Sequence, residues 1–231
     1  MVLGSRGRQG IKRALVTAGP LADRAATLSE ADVDAVRGWL TTSVFEVAPH
    51  LVAERIRVWA HGLVGEAVPG LVVAPGCWDR LLDRYRPHPV VLERARMAGH
   101  PVAVQPEGRV GPLDRVRRGR YATDAGRRAR AVAVDALLEG IAREGLLPRP
   151  RADGRVHQDE IGVYVTRHGR LVWARQGDHR LSAAQVLGVA RVPVILRGVH
   201  SRFVANARPQ PDVPVLAALR ARLAAVGVAE P

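Results

Sequence analysis

The residues with the most chemical potential in this chain are Gly177-Asp178-His179-Arg180, which fall between an apolar strand pattern and a helical one. A glycine lets the backbone leave a strand sharply and approach a ligand closely. A helix opening behind it presents free N–H groups and partial positive charge to whatever lies in front. With His179 and Arg180 beside the first turn, the segment reads as a phosphate cradle. Asp178 suits the start of a helix, as a cap, and is also placed to help hold a metal. Other candidates are scattered. Asp159 and Glu160 immediately precede the apolar strand, and His157 and His200 flank the outer strands. Arg202 follows His200, and His168 reads as a turn residue. No His-x-x-x-His or other metal-ligand spacing occurs. Cys77 is the single cysteine, which excludes an internal disulfide framework and a cysteine-based zinc site. Beside Trp78 it reads as a small apolar packing residue.

The elements around the turn are the most legible part of the chain. Ile161–Thr166 is β-branched and aromatic, Arg167-His168-Gly169-Arg170 is a turn, and Leu171–Ala174 is the returning strand. Leu181, Ala184 and Leu187 mark one face of a short helix that Gly188 ends, and Val192–Leu196 is a further strand with Pro193 near its start. Upstream, Asp124–Arg143 is a helix with Val134, Leu137, Leu138 and Ile141 as its stripe, ended by Gly145 and the prolines after it. Ser29, followed by Glu30 and Asp32, caps another helix that carries Val33, Val36, Trp39 and Leu40. Val215–Val226 is a last Ala- and Leu-rich helix. Residues 1–20 are rich in Gly and Arg and read as loosely held; Leu63–Val73 reads as strand and turn; the Gly/Pro cluster over 99–112 reads as a linker or long loop.

With 231 residues the chain has room for one large domain or two small ones. Its net charge of +13 points to an anionic partner. Almost every cation is arginine, Lys12 being the only lysine, which fits coding bias as well as phosphate recognition. No run approaches the roughly 18 apolar residues of a membrane span, and no signal-peptide core is visible, so the expectation is a cytoplasmic protein with no membrane partner.

Residues 131–203 resemble the ParB/sulfiredoxin superfamily. Ala136-Leu-Leu-Glu-Gly-Ile-Ala-Arg-Glu-Gly-Leu-Leu-Pro looks like the helix and exit before that domain's first strand. Gly177-Asp-His-Arg-Leu-Ser-Ala-Ala-Gln-Val-Leu-Gly resembles its signature turn and helix, and Val192-Pro-Val-Ile-Leu the strand that follows. Pro75-Gly-Cys-Trp-Asp resembles a Gly-x-Trp-Asp element upstream in some stand-alone members. The resemblance implies an α+β fold whose turn binds nucleotide phosphates, placing Gly177, Asp178, His179 and Arg180 on the phosphates. Members include chromosome-partition proteins that bind CTP and DNA, sulfiredoxins, and small-molecule kinases in which an acid near the first strand is the base. That last role falls on Glu160 here, with His179 as the second catalytic candidate. His200 and Arg202 are carried over as an outer layer of the site. Sulfiredoxins place a cysteine where this chain has Asp178, so sulfinic-acid reduction is not expected. Partition proteins continue into a long helix-turn-helix region, whereas only about 28 residues follow Phe203.

The expected organisation is therefore a mostly helical N-terminal region over 1–112 with short strands, a ParB/sulfiredoxin-like nucleotide-binding domain over 113–206, and a tail helix over 207–231. The expected function is phosphoryl transfer from ATP, ADP or CTP, with Mg²⁺, to a small hydroxylated metabolite. The alternative is a nonenzymatic, nucleotide-regulated protein that touches DNA nonspecifically through its basic surface. A nuclease reading has least support, since no multi-acid metal cluster is apparent.

Overall fold

Ser29 opens the first helix as its cap, its side chain accepting the Asp32 backbone N–H at 3.1 Å. The structure is a computed structural model, and it describes residues 28–56, 73–74, 78–103, 123–148, 160–174, 176–207 and 213–231. Among these, the chain runs α1 (Glu30–Thr42), β1 (Phe45–Val47), β2 (Glu54–Ile56), β3 (Val73–Ala74), β4 (Leu82–Arg84), α2 (Pro89–Met97), α3 (Asp124–Glu144), β5 (Ile161–Val165), β6 (Leu171–Trp173), α4 (Asp178–Leu187), β7 (Val192–His200), α5 (Ser201–Ala205) and α6 (Val215–Ala225). The Gly- and Arg-rich start, residues 63–72 of the upstream apolar run, and the loop from 104 lie outside the described residues.

The fold is α+β, with one open mixed sheet. Its order is β1-β7-β5-β6-β2-β4, and β3 also pairs with β7. The expected hairpin is present as β5 against β6, antiparallel, while β5 and β7 run parallel. The boundary expected at 112–113 does not divide this sheet. β1 and β3 pair with β7, and β2 pairs with β6. The N-terminal segment therefore completes the C-terminal sheet instead of forming a region of its own. The physical reason is that β6 and β7 would otherwise be apolar edges with unpaired backbone groups.

Alternation along β5 separates two packing layers. Ile161, Val163 and Val165 join the main core with Leu138, Leu181, Leu196 and Phe203, while Tyr164 packs on the smaller cluster of Ile56, Trp78 and Val172. Burying side chains such as Leu138 and Leu181 stabilises the fold by roughly 1.5–3 kcal/mol each. α3 matches its expected span; Thr123 caps it through the Gly126 N–H, and Gly145 ends it at φ +75°. α6 belongs to the same core, through Leu219 and Leu223. The segment after it bridges back, Glu46 and Ala229 exchanging N–H···O bonds at 2.8 and 3.0 Å. The tail is thus an integral layer.

Candidate functional site

Gly177 takes a left-handed conformation, φ +67° and ψ 26°. A Cβ there would stand 2.7 Å from Ile161 Cα and 2.8 Å from Ile161 N. Only glycine satisfies both demands, and the turn is thereby seated on the start of β5. α4 opens directly behind it, with Leu181 N–H donating to Gly177 O at 2.9 Å. The N–H groups of Asp178, His179 and Arg180 have no acceptor within the helix, and no side chain caps this end. The glycine turn expected from the sequence is thus present and opens α4.

The side chains around it come largely from elsewhere. Asp178 accepts a hydrogen bond from Tyr85 Oη at 2.7 Å. Ser182 Oγ accepts the His88 backbone N–H at 2.8 Å and lies 2.8 Å from Tyr85 Oη. One direction satisfies all three: His88 N–H to Ser182, Ser182 O–H to Tyr85, Tyr85 O–H to Asp178. Burial, with the Asp178 charge behind it, pushes the Tyr85 phenol well above its ordinary value, so Tyr85 remains a donor. The network ties the segment before α2 to the first turns of α4.

At the mouth of the turn the His88 and His179 rings lie 4.7 Å apart, inclined by 33°. Arg130 reaches from α3 to place Nη2 at 2.8 Å from His88 Nε2 and 2.7 Å from His179 Nε2. Burial lowers the His88 pKa to about 4, helped by His179 and Arg130 and opposed by Asp178. Burial and then Arg130 lower that of His179, again against Asp178. Both rings are neutral at pH 7. The result is a half-buried basin holding one permanent cation and two imidazoles that can give or take a proton.

Two sequence expectations need correction. Arg180 does not face this basin. It is 7% exposed, and its Nη2 donates to Glu160 Oε2 at 3.1 Å and to Leu147 O at 2.7 Å. Glu160 is fully buried against it. A carboxylate enclosed beside a guanidinium cannot meet an acceptor hydroxyl, so Glu160 is not placed to act as base, and Arg180 is not placed on phosphates. They form an internal ion pair behind the turn, whose disruption from one side is strongly destabilising. His179 and Asp178 do reach the mouth of the turn.

His200 and Arg202 also lie elsewhere. Ile161, on which Gly177 sits, is opposite Val194, whereas Val165 is opposite Val199. His200 is therefore about five residues along the sheet, on the order of 16 Å away. It belongs to a second cluster. Asp79 accepts Arg167 Nε at 2.8 Å, Nη2 at 2.7 Å and the Arg167 backbone N–H at 3.1 Å. Burial would raise the Asp79 pKa, but the Arg167 hydrogen bonds overcome it and hold the carboxyl below its ordinary value. Trp78 stacks near both His200 and Tyr164. The Trp78-Asp79 element thus clamps the 166–170 turn. His168 is an exposed turn residue, as expected. Cys77, His157 and Asp159 lie outside the described residues.

Among the described residues, no group of three or more His, Cys, Asp or Glu is placed to hold a metal ion, and no helix is long and apolar enough to cross a membrane. Asp178, the carboxylate at the basin, accepts from Tyr85. Tyr85, His88, Ser182 and Arg130 escaped the sequence reading. The available signal was local: His88-Pro89 has the pattern of a cap followed by a proline at the first helical position. The chain matches no protein-family model, no curated protein and no solved structure.

Proposed function

We propose that this protein binds a nucleotide di- or triphosphate at the opening of α4, as the ParB/sulfiredoxin-like sequence pattern implies, and transfers a phosphoryl group to a small hydroxylated acceptor. The observation that supports this reading is the placement of Arg130, His88 and His179 around the mouth of the Gly177 turn. The opening of a helix and a guanidinium favour phosphate oxygens. Neutral His179 is the group that accepts the proton of the attacking hydroxyl, a role for which a near-neutral base is suited. The acceptor oxygen bonds to phosphorus, the bond to the leaving nucleotide breaks, and the hydroxyl proton passes to the His179 ring. ATP, ADP and CTP are the donors to test. Magnesium, which such transfers use to offset phosphate charge, enters with the nucleotide.

The test is calorimetry of the folded protein against these nucleotides, with Arg130→Ala beside it. Loss of one charged hydrogen-bond donor should weaken binding by roughly 1.5–3 kcal/mol. Unchanged affinity in a folded Arg130→Ala protein removes the site. The DNA reading rests on the +13 net charge. It requires affinity for duplex DNA that falls steeply with salt and is indifferent to Arg130→Ala.

A further inference from the structure

Asp178 stands at the first helical position of α4, behind Gly177. A carboxylate there is drawn to the opening of its own helix. It offsets the partial positive charge of that end, and an aspartate side chain readily accepts a backbone N–H two residues ahead. His88 and His200 make that local bond at their own helix starts, to Val90 and Arg202. Asp178 makes a distant one: its Oδ1 accepts the Tyr85 hydroxyl at 2.7 Å. Tyr85 cannot follow the carboxylate. Its backbone N–H donates to Ala53 O at 2.8 Å, just past the end of β4. Its ring is buried, with the Trp173 ring 5.4 Å away, and its Oη lies 2.8 Å from the buried Ser182 Oγ. The hydroxyl is therefore fixed by the chain before β2, by β6 and by α4, and it offers its proton at one place.

We propose that Tyr85 is a positioning residue, a latch that holds the Asp178 carboxylate off the first turn of α4 and so leaves that turn to an incoming phosphate. The inference rests on the nucleotide reading for its ligand, and adds what keeps the protein's own carboxylate out of the phosphate's place. Asp178 is then a restrained competitor of phosphate and not one of its ligands. Released, it closes onto the backbone N–H groups of the turn, occupies donors and repels a like charge. The latch also explains why a tyrosine before α2 reaches a helix that follows it by about 90 residues. It sets the opening of α4 from outside the helix, where no residue of α4 could do so.

Two measurements on the full chain test this, with Tyr85→Phe, Asp178→Ala and the double variant. Tyr85→Phe keeps the packed ring and removes only the donor. In Asp178→Ala the Ser182 hydroxyl can take the Tyr85 proton, so neither single variant strands a buried group. The first measurement is amide hydrogen exchange without ligand. Exchange across residues 178–180 should slow by about threefold or more in Tyr85→Phe, as the carboxylate closes on the turn, and return to the parent rate in the double variant. The second is calorimetry with ATP, ADP and CTP. Affinity for the nucleotide that binds should fall roughly three- to tenfold in Tyr85→Phe, and the same substitution should cost nothing in the Asp178→Ala background. A purely structural Tyr85 would give the same loss in both backgrounds. Unchanged exchange in Tyr85→Phe, or an affinity loss that persists in the Asp178→Ala background, overturns the proposal. If a nucleotide binds the parent and Tyr85→Phe equally, the latch falls and the nucleotide reading stands. If none binds the parent while exchange slows as expected, the nucleotide reading falls and the latch stands.

Discussion

His88 and His200 perform the same backbone task in opposite company. Each caps a helix by accepting, at Nδ1, the N–H two residues ahead, Val90 at 3.2 Å and Arg202 at 3.1 Å. Each then carries its proton on Nε2. His200 Nε2 is directed at Asp79 Oδ1, 4.0 Å away, in a cluster where the Arg167 donors also meet that carboxylate. His88 Nε2 is directed at a guanidinium. The first cluster is almost wholly buried, and its donors are answered by acceptors. The second is half-open, and at Nε2 both of its rings meet a guanidinium, not a carboxylate. A buried set closed on a carboxylate is a structural device, whereas the half-exposed set lies where solvent can reach its rings. Residue types alone do not separate the two, since both hold histidine, arginine and aspartate.

The comparison breaks most readily from the balanced side. Asp79→Ala leaves the Arg167 guanidinium buried without its partner, and such a loss costs about 3–5 kcal/mol. Urea denaturation should show it as a large drop in midpoint. A loss below about 1 kcal/mol would mean that the 166–170 turn is held by something else. Glu160→Gln belongs to the same class. It keeps the shape but leaves Arg180 without a counter-charge, for an expected loss of roughly 1–3 kcal/mol, with nucleotide affinity within a few fold of the parent. If stability is instead untouched and turnover collapses, Glu160 is the base after all. The smallest effect concerns pH. The folded His88 titrates near pH 4 and the unfolded one near 6.5. Between those values the unfolded chain binds the proton first, so stability is full above about pH 6.5 and is lost as pH falls towards 4. Allowing for solvent screening of a half-buried ring, the slope should be about 1 kcal/mol per pH unit or less. A flat stability profile between about pH 6.5 and 4 would mean that the His88 ring titrates alike in the folded and unfolded chain.

Legibility in the sequence followed the length of the elements and the range of their partners. α3, the β5–β6 hairpin and α4 carry periodic apolar positions and turn residues over ten or more residues, and each lies close to its expected span. β1, β2 and β4 have three residues each, too few for alternation to register. Their placement is decided by pairing with strands far along the chain. Gly177 was legible because φ and close approach both demand glycine. Arg180 was not, because a cation in the first turn of a helix ordinarily meets solvent. Here Arg180, Leu181, Ser182, Ala183, Ala184 and Val186 are all buried, so α4 is enclosed nearly all round and its arginine needs an internal counter-ion. Tyr85, His88 and Arg130 reach the turn only because α2 and α3 pack on α4, a juxtaposition that no local pattern encodes.

The interleaved sheet also bears on how the chain is made. Phe45 pairs with Val194, so β1 waits for a partner translated roughly 150 residues later. At typical synthesis rates of about 5–20 residues per second, that is about 8–30 seconds. During that interval Phe45 and Val47, both fully or almost fully buried in the finished protein, have no sheet to enter. Vectorial synthesis therefore holds the N-terminal strands in a waiting state, and long-range pairing of this kind slows folding and exposes apolar segments to aggregation. The half of the molecule made first is the half that must wait for the half made last.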